Sequence, residues 1–298
     1  MPNAKLKNYF HLHFLVFIAG FTAILGDLIT IEAIPLVWFR MVIAAILMFV
    51  YIKIAKIKLK INLKSLLRLS IAGIIIALHW ITFFASIKEA NISIALAMFS
   101  TGAFFASLIE PIIFKRSIIK YEIVFGIIVV IGVFIITQSE IKYLTGIILG
   151  ISSAFFSSLF AVLNGKFLKQ HTATVISFYE FLSGVFFISL YIIFFGEGFS
   201  VEFFNLIQLD FVYLFILASV CTAYAFIASV YVMKLISPYT VVLTYNLEPI
   251  YGIIMALILF PEKEKMSTSF YYGAAIIIAT VLLNGLIKNS SIRKRKES

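Results

Sequence analysis

The chain has 298 residues, 62% of them hydrophobic and 13% charged, with mean hydropathy +1.10 and formal net charge +10. Soluble domains carry about 25% charged residues, so this composition excludes an ordinary soluble enzyme and assigns the positive charge to membrane topology rather than nucleic acid. The single cysteine, Cys221, excludes an intrachain disulfide.

A hydrocarbon core about 30 Å thick is crossed by about 20 helical residues. Apolar stretches of about that length fall at 10–26, 34–53, 69–87, 92–114, 121–138, 144–165, 174–195, 211–233, 239–260 and 270–287. The first lacks a small-residue cleavage site and runs on into further spans, which predicts a retained helix. The connections are too short for a soluble domain. The expected fold class is an all-α polytopic membrane protein of ten transmembrane helices.

With the N-terminus in the cytoplasm, ten spans place 19 Lys and Arg residues inside and 4 outside, Arg40 lying within a span. The outside four are Lys88, Lys142, Lys263 and Lys265, whereas Lys53, Lys56, Lys58, Lys60, Lys64 and Arg68 share one inside loop. Lys and Arg asymmetry over short loops sets orientation, so both termini are expected in the cytoplasm, in a plasma or inner membrane. Most acidic residues fall outside: Asp27, Glu32, Glu89, Glu140, Glu197, Glu202, Asp210, Glu262 and Glu264. The basic tail Arg293-Lys294-Arg295-Lys296 reads as a topology anchor on anionic lipid.

The halves read as a repeat. The segment from Pro35 to Arg40 opens the second span as Val175 to Glu180 opens the seventh, 140 positions on. Trp80 to Ala95 corresponds to Phe226 to Val241 at an offset of 146, with Lys88 matching Lys234, and Gly126 corresponds to Gly273 at 147. Five spans per half insert the copies oppositely, the inverted repeat of secondary transporters, whose sites lie near the midplane between repeats. The expected domains are residues 1–140 and 141–290, each a five-helix repeat, with 291–298 as a cytoplasmic tail.

The run Ser237-Pro-Tyr-Thr-Val-Val-Leu-Thr-Tyr-Asn-Leu-Glu-Pro249, followed by Glu262 and Gly273, resembles the ninth and tenth helices of the EamA family of the drug/metabolite transporter superfamily. Pro249 matches that family's mid-helix proline, Glu262 its acidic residue after the helix, and Gly273 its helix-opening glycine; Pro35 with Arg40 resembles its second helix. The first half departs from the pattern: the fourth span reads Ser100-Thr101-Gly102-Ala103 where the family carries proline, and Lys115-Arg116 stands in place of the acidic residue. The resemblance implies a transporter, and it alone implies export.

Ionisable groups at membrane depth are functional candidates by default. Counting about 1.5 Å per residue puts Glu248, His79, Ser100, Thr101 and Tyr224 near the midplane, and Arg40 and Glu180 about 6 Å to opposite sides of it. That separation predicts that Arg40 and Glu180 do not pair directly. Arg40 can hold a substrate carboxylate or tie to backbone carbonyls. Glu248 can bind an ammonium group or a proton beside a helix interrupted by Pro249, or simply bond to a neighbouring helix. His79 is either a proton shuttle or an interhelical hydrogen-bonding group, and Trp80 a surface for an aromatic or cationic solute. Tyr224, Tyr245 and Asn246 are expected lining groups, and Gly102 and Pro249 expected hinges.

The expected function is secondary transport of a small organic metabolite, an amino acid or drug-like solute, by alternating access. Its partners are that solute and the bilayer, without nucleic acid, cofactor or metal. An enzyme acting on a lipid-linked substrate and a channel are the alternatives. The chain has no HExxH, no aspartate-rich cluster and no nucleophile elbow, which argues against an enzyme.

Overall fold

The computed structural model describes residues 2–115, 117, 119–233 and 244–297. Arg116, Lys234 and residues 237–243 of the second-half motif lie outside the described residues, as do the side chains of Lys5, Lys120, Lys288 and the basic tail.

The described chain is helical. In order come α1 (Pro2–Leu28), α2 (Ala33–Ile54), α3 (Leu63–Glu89), α4 (Ile92–Phe99), α5 (Gly102–Phe114), α6 (Lys120–Ser139), α7 (Leu144–Phe167) and α8 (Ala173–Phe195). There follow α9 (Val201–Phe204), α10 (Gln208–Ala218), α11 (Ala225–Met233), α12 (Glu248–Leu259), α13 (Pro261–Glu264) and α14 (Thr268–Glu297). Among the described residues nine stretches are long and apolar enough to cross a membrane, and α12 is a shorter apolar helix of 12 residues. Asn62 and Asn91 start α3 and α4 by accepting from the backbone N–H groups of Ser65 and Ile94, satisfying donors that a helix start leaves unpaired.

Three expected spans are interrupted. The fourth divides at Ser100–Thr101, where the hydroxyls turn back to the carbonyls of Leu96 (3.0 Å) and Met98 (2.7 Å) and compete with the helix ladder. The eighth contains a π-helical turn, Ser219–Tyr224, between α10 and α11. The ninth breaks at Asn246–Leu247, so Pro249 occupies the first turn of α12 instead of a mid-helix kink. That correction has a simple cause: proline has no N–H, and the first turn leaves its N–H groups unbonded in any case.

Large apolar side chains stand exposed along the long helices, among them Phe10, Ile112, Phe186 and Phe195, as a lipid-facing surface demands. Inside, helices of the two halves approach through glycine. Gly20 meets Gly252 where α1 crosses α12, Gly73 meets Gly184 where α3 crosses α8, and Gly132 meets Gly273 where α6 crosses α14. A Cβ at Gly73 would stand 2.4 Å from the Glu180 carbonyl oxygen. Lipid tails are as apolar as the packed side chains, so close backbone contact supplies the association that water cannot drive.

Candidate functional site

A cavity of about 430 Å³ lies between these crossings. The first half contributes Thr22 of α1, Arg40 of α2, and His79, Trp80 and Phe83 of α3. The second half contributes Phe160 and Asn164 of α7, Ser177 of α8, Cys221 of the π turn, Phe226, Tyr245 and Glu248. The π turn inserts one residue per turn relative to an α-helix. There the Thr222 hydroxyl bonds back to the Leu217 carbonyl at 2.8 Å, and Cys221 turns toward the cavity.

Arg40 is 3% exposed. Its Nε donates to Thr222 Oγ1 at 2.9 Å, and its guanidinium carbon sits 4.0 Å from the centre of the Trp80 ring, within cation–π range. Among the described residues its Nη1 is buried with no hydrogen-bond partner. Glu248 and Cys221 line the same cavity. A buried donor without a partner costs about 1–3 kcal/mol, more when charged. Arg40 borders the cavity with this buried donor unbonded among the described residues.

His79 borders the same cavity but has its own bonds. Nδ1 meets Ser153 Oγ at 2.8 Å and the Ser153 carbonyl at 3.1 Å, and the ring stacks on Phe99. Glu180 is fully buried behind the lining, beside Asn164, and forms no ion pair with Arg40.

The other sequence candidates divide between two places. Ser100, Gly102, Asn246 and Pro249 line a second cavity of about 480 Å³, which shares the wall of Phe99, Ser157, Ala161 and Tyr245 with the first. Thr101 is buried against the Met98 carbonyl. Tyr224 lies away from both: it is 41% exposed and meets the His11 ring nitrogen at 2.9 Å. Depth along a helix does not say which face meets the cavity: at the π turn Cys221 lines it and Tyr224 stands outside. Cys221, Thr22, Phe160 and Phe226 were not singled out as site residues because each is a small or apolar residue within its span, and Asn164 because it falls at the end of the expected span 144–165, where a polar residue carries no depth signal.

The two ends of the bundle differ. The cavity lining stops at Thr22 on α1, Arg40 on α2 and Phe83 on α3. Beyond it Leu25, Ile29, Leu36, Phe84 and Ile87 form a buried apolar plug. Above the plug, Asp210 accepts from the Thr30 N–H (2.8 Å) and hydroxyl (2.6 Å), Lys88 donates to the Ile29 carbonyl, and Lys263 pairs with Asp27. Toward the opposite end the cavity continues past Asn164 and Ser177 to Leu168, which is half-exposed. There the halves are joined along α8 and the residues before it, by His171 with Ser65, Tyr179 with the Leu59 carbonyl and Ser183 with Ser70, and along α1, by His11 with Tyr224 and His13 with Tyr251. Lys53, Lys56, Lys58, Lys60 and Lys64 lie on the α2–α3 connection at this end.

Residues 8–138 and 144–286 each match the EamA-like transporter family. The chain belongs to that family. It is a multi-pass membrane protein of transporter type. Among solved structures 21 chains match; one, described only as a crystal structure of a protein, has 13% identity and a TM-score of 0.63, covering 94% of this chain and 98% of its own. At that identity the likeness concerns the fold. No curated protein matches the chain.

Proposed function

We propose that this EamA-like protein is a secondary transporter that exports a small organic metabolite, an amino acid or drug-like solute, by alternating access. The observation that carries the reading is a cavity between the halves lined by both Arg40 and Glu248. The pair offers a donor for a carboxylate and an acceptor for an ammonium group. Trp80, Phe83, Phe99 and Phe160 supply the surrounding apolar wall, and solute sites of this composition bind through a few polar groups in an apolar pocket.

In this reading residues 1–140 and 141–290 are oppositely inserted five-helix halves of a ten-span protein, and the glycine crossings are where they rock. The open end, with the lysines of the α2–α3 connection, faces the cytoplasm by the positive-inside rule. Solute enters there, meets Arg40 and Glu248, and leaves after the opposite end parts. The membrane is a plasma or inner membrane, with both termini inside.

Purified protein in liposomes tests the proposal. A carrier shows saturable uptake and counterflow across a panel of amino acids, nucleosides and cationic drugs, with sensitivity to Arg40→Ala. Unsaturable conductance would make it a channel, and turnover of a lipid-linked substrate an enzyme. Termini reacting on opposite faces of the membrane would break the inverted arrangement.

A further inference from the structure

The sealed end is held in large part by one short connector between α12 and α14. Residues 261–267 comprise the single-turn helix α13 and the residues leading to α14. Glu264 is fully buried, and its two carboxylate oxygens accept separately from the first-turn N–H groups of α4: Oε1 from Ile92 at 3.0 Å and Oε2 from Ser93 at 2.8 Å. The next contacts run along the same connector. Asn91 Nδ2 meets Met266 Sδ at 3.1 Å, and the Ser267 N–H donates to Glu140 Oε1 at 3.0 Å. Lys263 pairs with Asp27 on the other side. Seven consecutive residues of the second half thus reach the ends of α1, α4 and α6 in the first.

These bonds have a defined purpose if the cavity is to open at this end. The α4 helix runs from the Glu264 contact to Phe99, which belongs to the wall shared by the two cavities. A carboxylate across two helix-start N–H groups is a charge-assisted contact that also faces the positive end of the helix dipole. Its direction matters too: the acceptor is in one half, the donors in the other, so the contact survives only while the halves are closed together here. The neighbouring Glu262, which the sequence pattern marks as the family's acidic residue, is exposed; the buried contacts belong to Glu264.

We propose that the 261–267 connector is the gate of the sealed end and that Glu264 is its positioning residue. It holds α4 and its Phe99 wall in place while the cavity faces the open end, and it releases the Ile92 and Ser93 N–H groups when the cavity turns to the other side. The proposal rests on the alternating-access reading. A ligand that favours one of two states shifts their populations only by its differential affinity; weakening the latch shifts the same equilibrium without ligand.

Cys221, the chain's one cysteine, lines the cavity and reports which end is open. In vesicles of known orientation, a membrane-impermeant cationic methanethiosulfonate is applied from one side at a time. In the unsubstituted protein, labelling is expected to be faster from the open end. Glu264→Gln removes the charge from both bonds and is expected to speed labelling from the sealed end about tenfold while slowing it from the open end; Glu262→Gln leaves both rates unchanged. An unchanged sealed-end rate in Glu264→Gln, or equal acceleration from both sides, overturns the proposal.

Should Glu264→Gln fail to fold, a bridge decides. With Cys221 left in place, Asn91→Cys and Met266→Cys replace side chains that already touch, and a thiol-bridging reagent closes the connector onto α4. Bridging is expected to abolish sealed-end labelling of Cys221, reversibly on removal of the bridge, and to spare open-end labelling. Persistence of sealed-end labelling after bridging also overturns the gate. No transported solute is needed in either experiment, so a protein without flux but with these labelling rates would sink the transporter reading and leave the gate standing.

Discussion

The two ends of this bundle use different chemistry to hold the same halves together. At the sealed end an apolar plug is roofed by buried carboxylates on backbone N–H groups, with Asp210, Glu140 and Glu264 each 4% exposed or less. At the open end the halves are joined by imidazole, hydroxyl and carbonyl groups along α8 and α1, and a chamber runs in beside them. Buried charge-assisted bonds contribute about 1.5–3 kcal/mol each and neutral ones about 1. The closed end is thus the expensive one to part, and in the proposed transport cycle a solute at Arg40 and Glu248, at the foot of the plug, offsets that cost.

Substitutions at graded distances from the plug sharpen this contrast. The largest effect is expected at the crossing common to both ends. Gly73→Val drives side-chain atoms into the Glu180 carbonyl; overpacking of this kind costs about 3 kcal/mol or more, and size-exclusion profiles in detergent should show loss of monodisperse protein. Next, Arg40→Ala empties the foot of the plug of its cation and should cut solute flux by about 30-fold or more, about 2 kcal/mol of lost binding. Arg40→Lys, which keeps charge but not the Thr222 geometry, should fall between it and the unsubstituted protein.

Glu248→Gln keeps the shape of the cavity and removes its negative charge, so flux of ammonium-bearing solutes should weaken about tenfold, with neutral solutes unaffected; equal loss for both would remove Glu248 from solute recognition. Asp210→Asn weakens two contacts to Thr30 and should lower thermal stability by about 1–2 kcal/mol. The smallest effect is expected at the open end: His171→Ala removes one neutral bond to Ser65 and should cost about 1 kcal/mol or less. A larger loss for His171→Ala than for Asp210→Asn would reverse the comparison.

The candidate site was partly legible. Arg40, His79, Trp80, Tyr245 and Glu248 are conspicuous in sequence because polar or amphipathic groups are costly in hydrocarbon, and all five line the first cavity. Ser100, Asn246, Gly102 and Pro249 gather instead around the neighbouring chamber. Tyr224 was placed by depth alone, which does not say which face of its helix meets the cavity; at the end of the π turn it stands exposed and bonds His11. Glu262 drew notice over Glu264 because it matches the position of the family's acidic residue, whereas burial depends on which helix start comes to rest beside the carboxylate.

Sequence alone determined the helical class, the apolar spans and the crowding of lysines at one end, because the bilayer as solvent dictates length and polarity residue by residue. Only tertiary structure decided which end is plugged, which nitrogen of Arg40 is left without an acceptor among the described residues, and which carboxylate reaches α4. Those outcomes depend on where helices more than a hundred residues apart cross, and no local property of either segment encodes the distance between them.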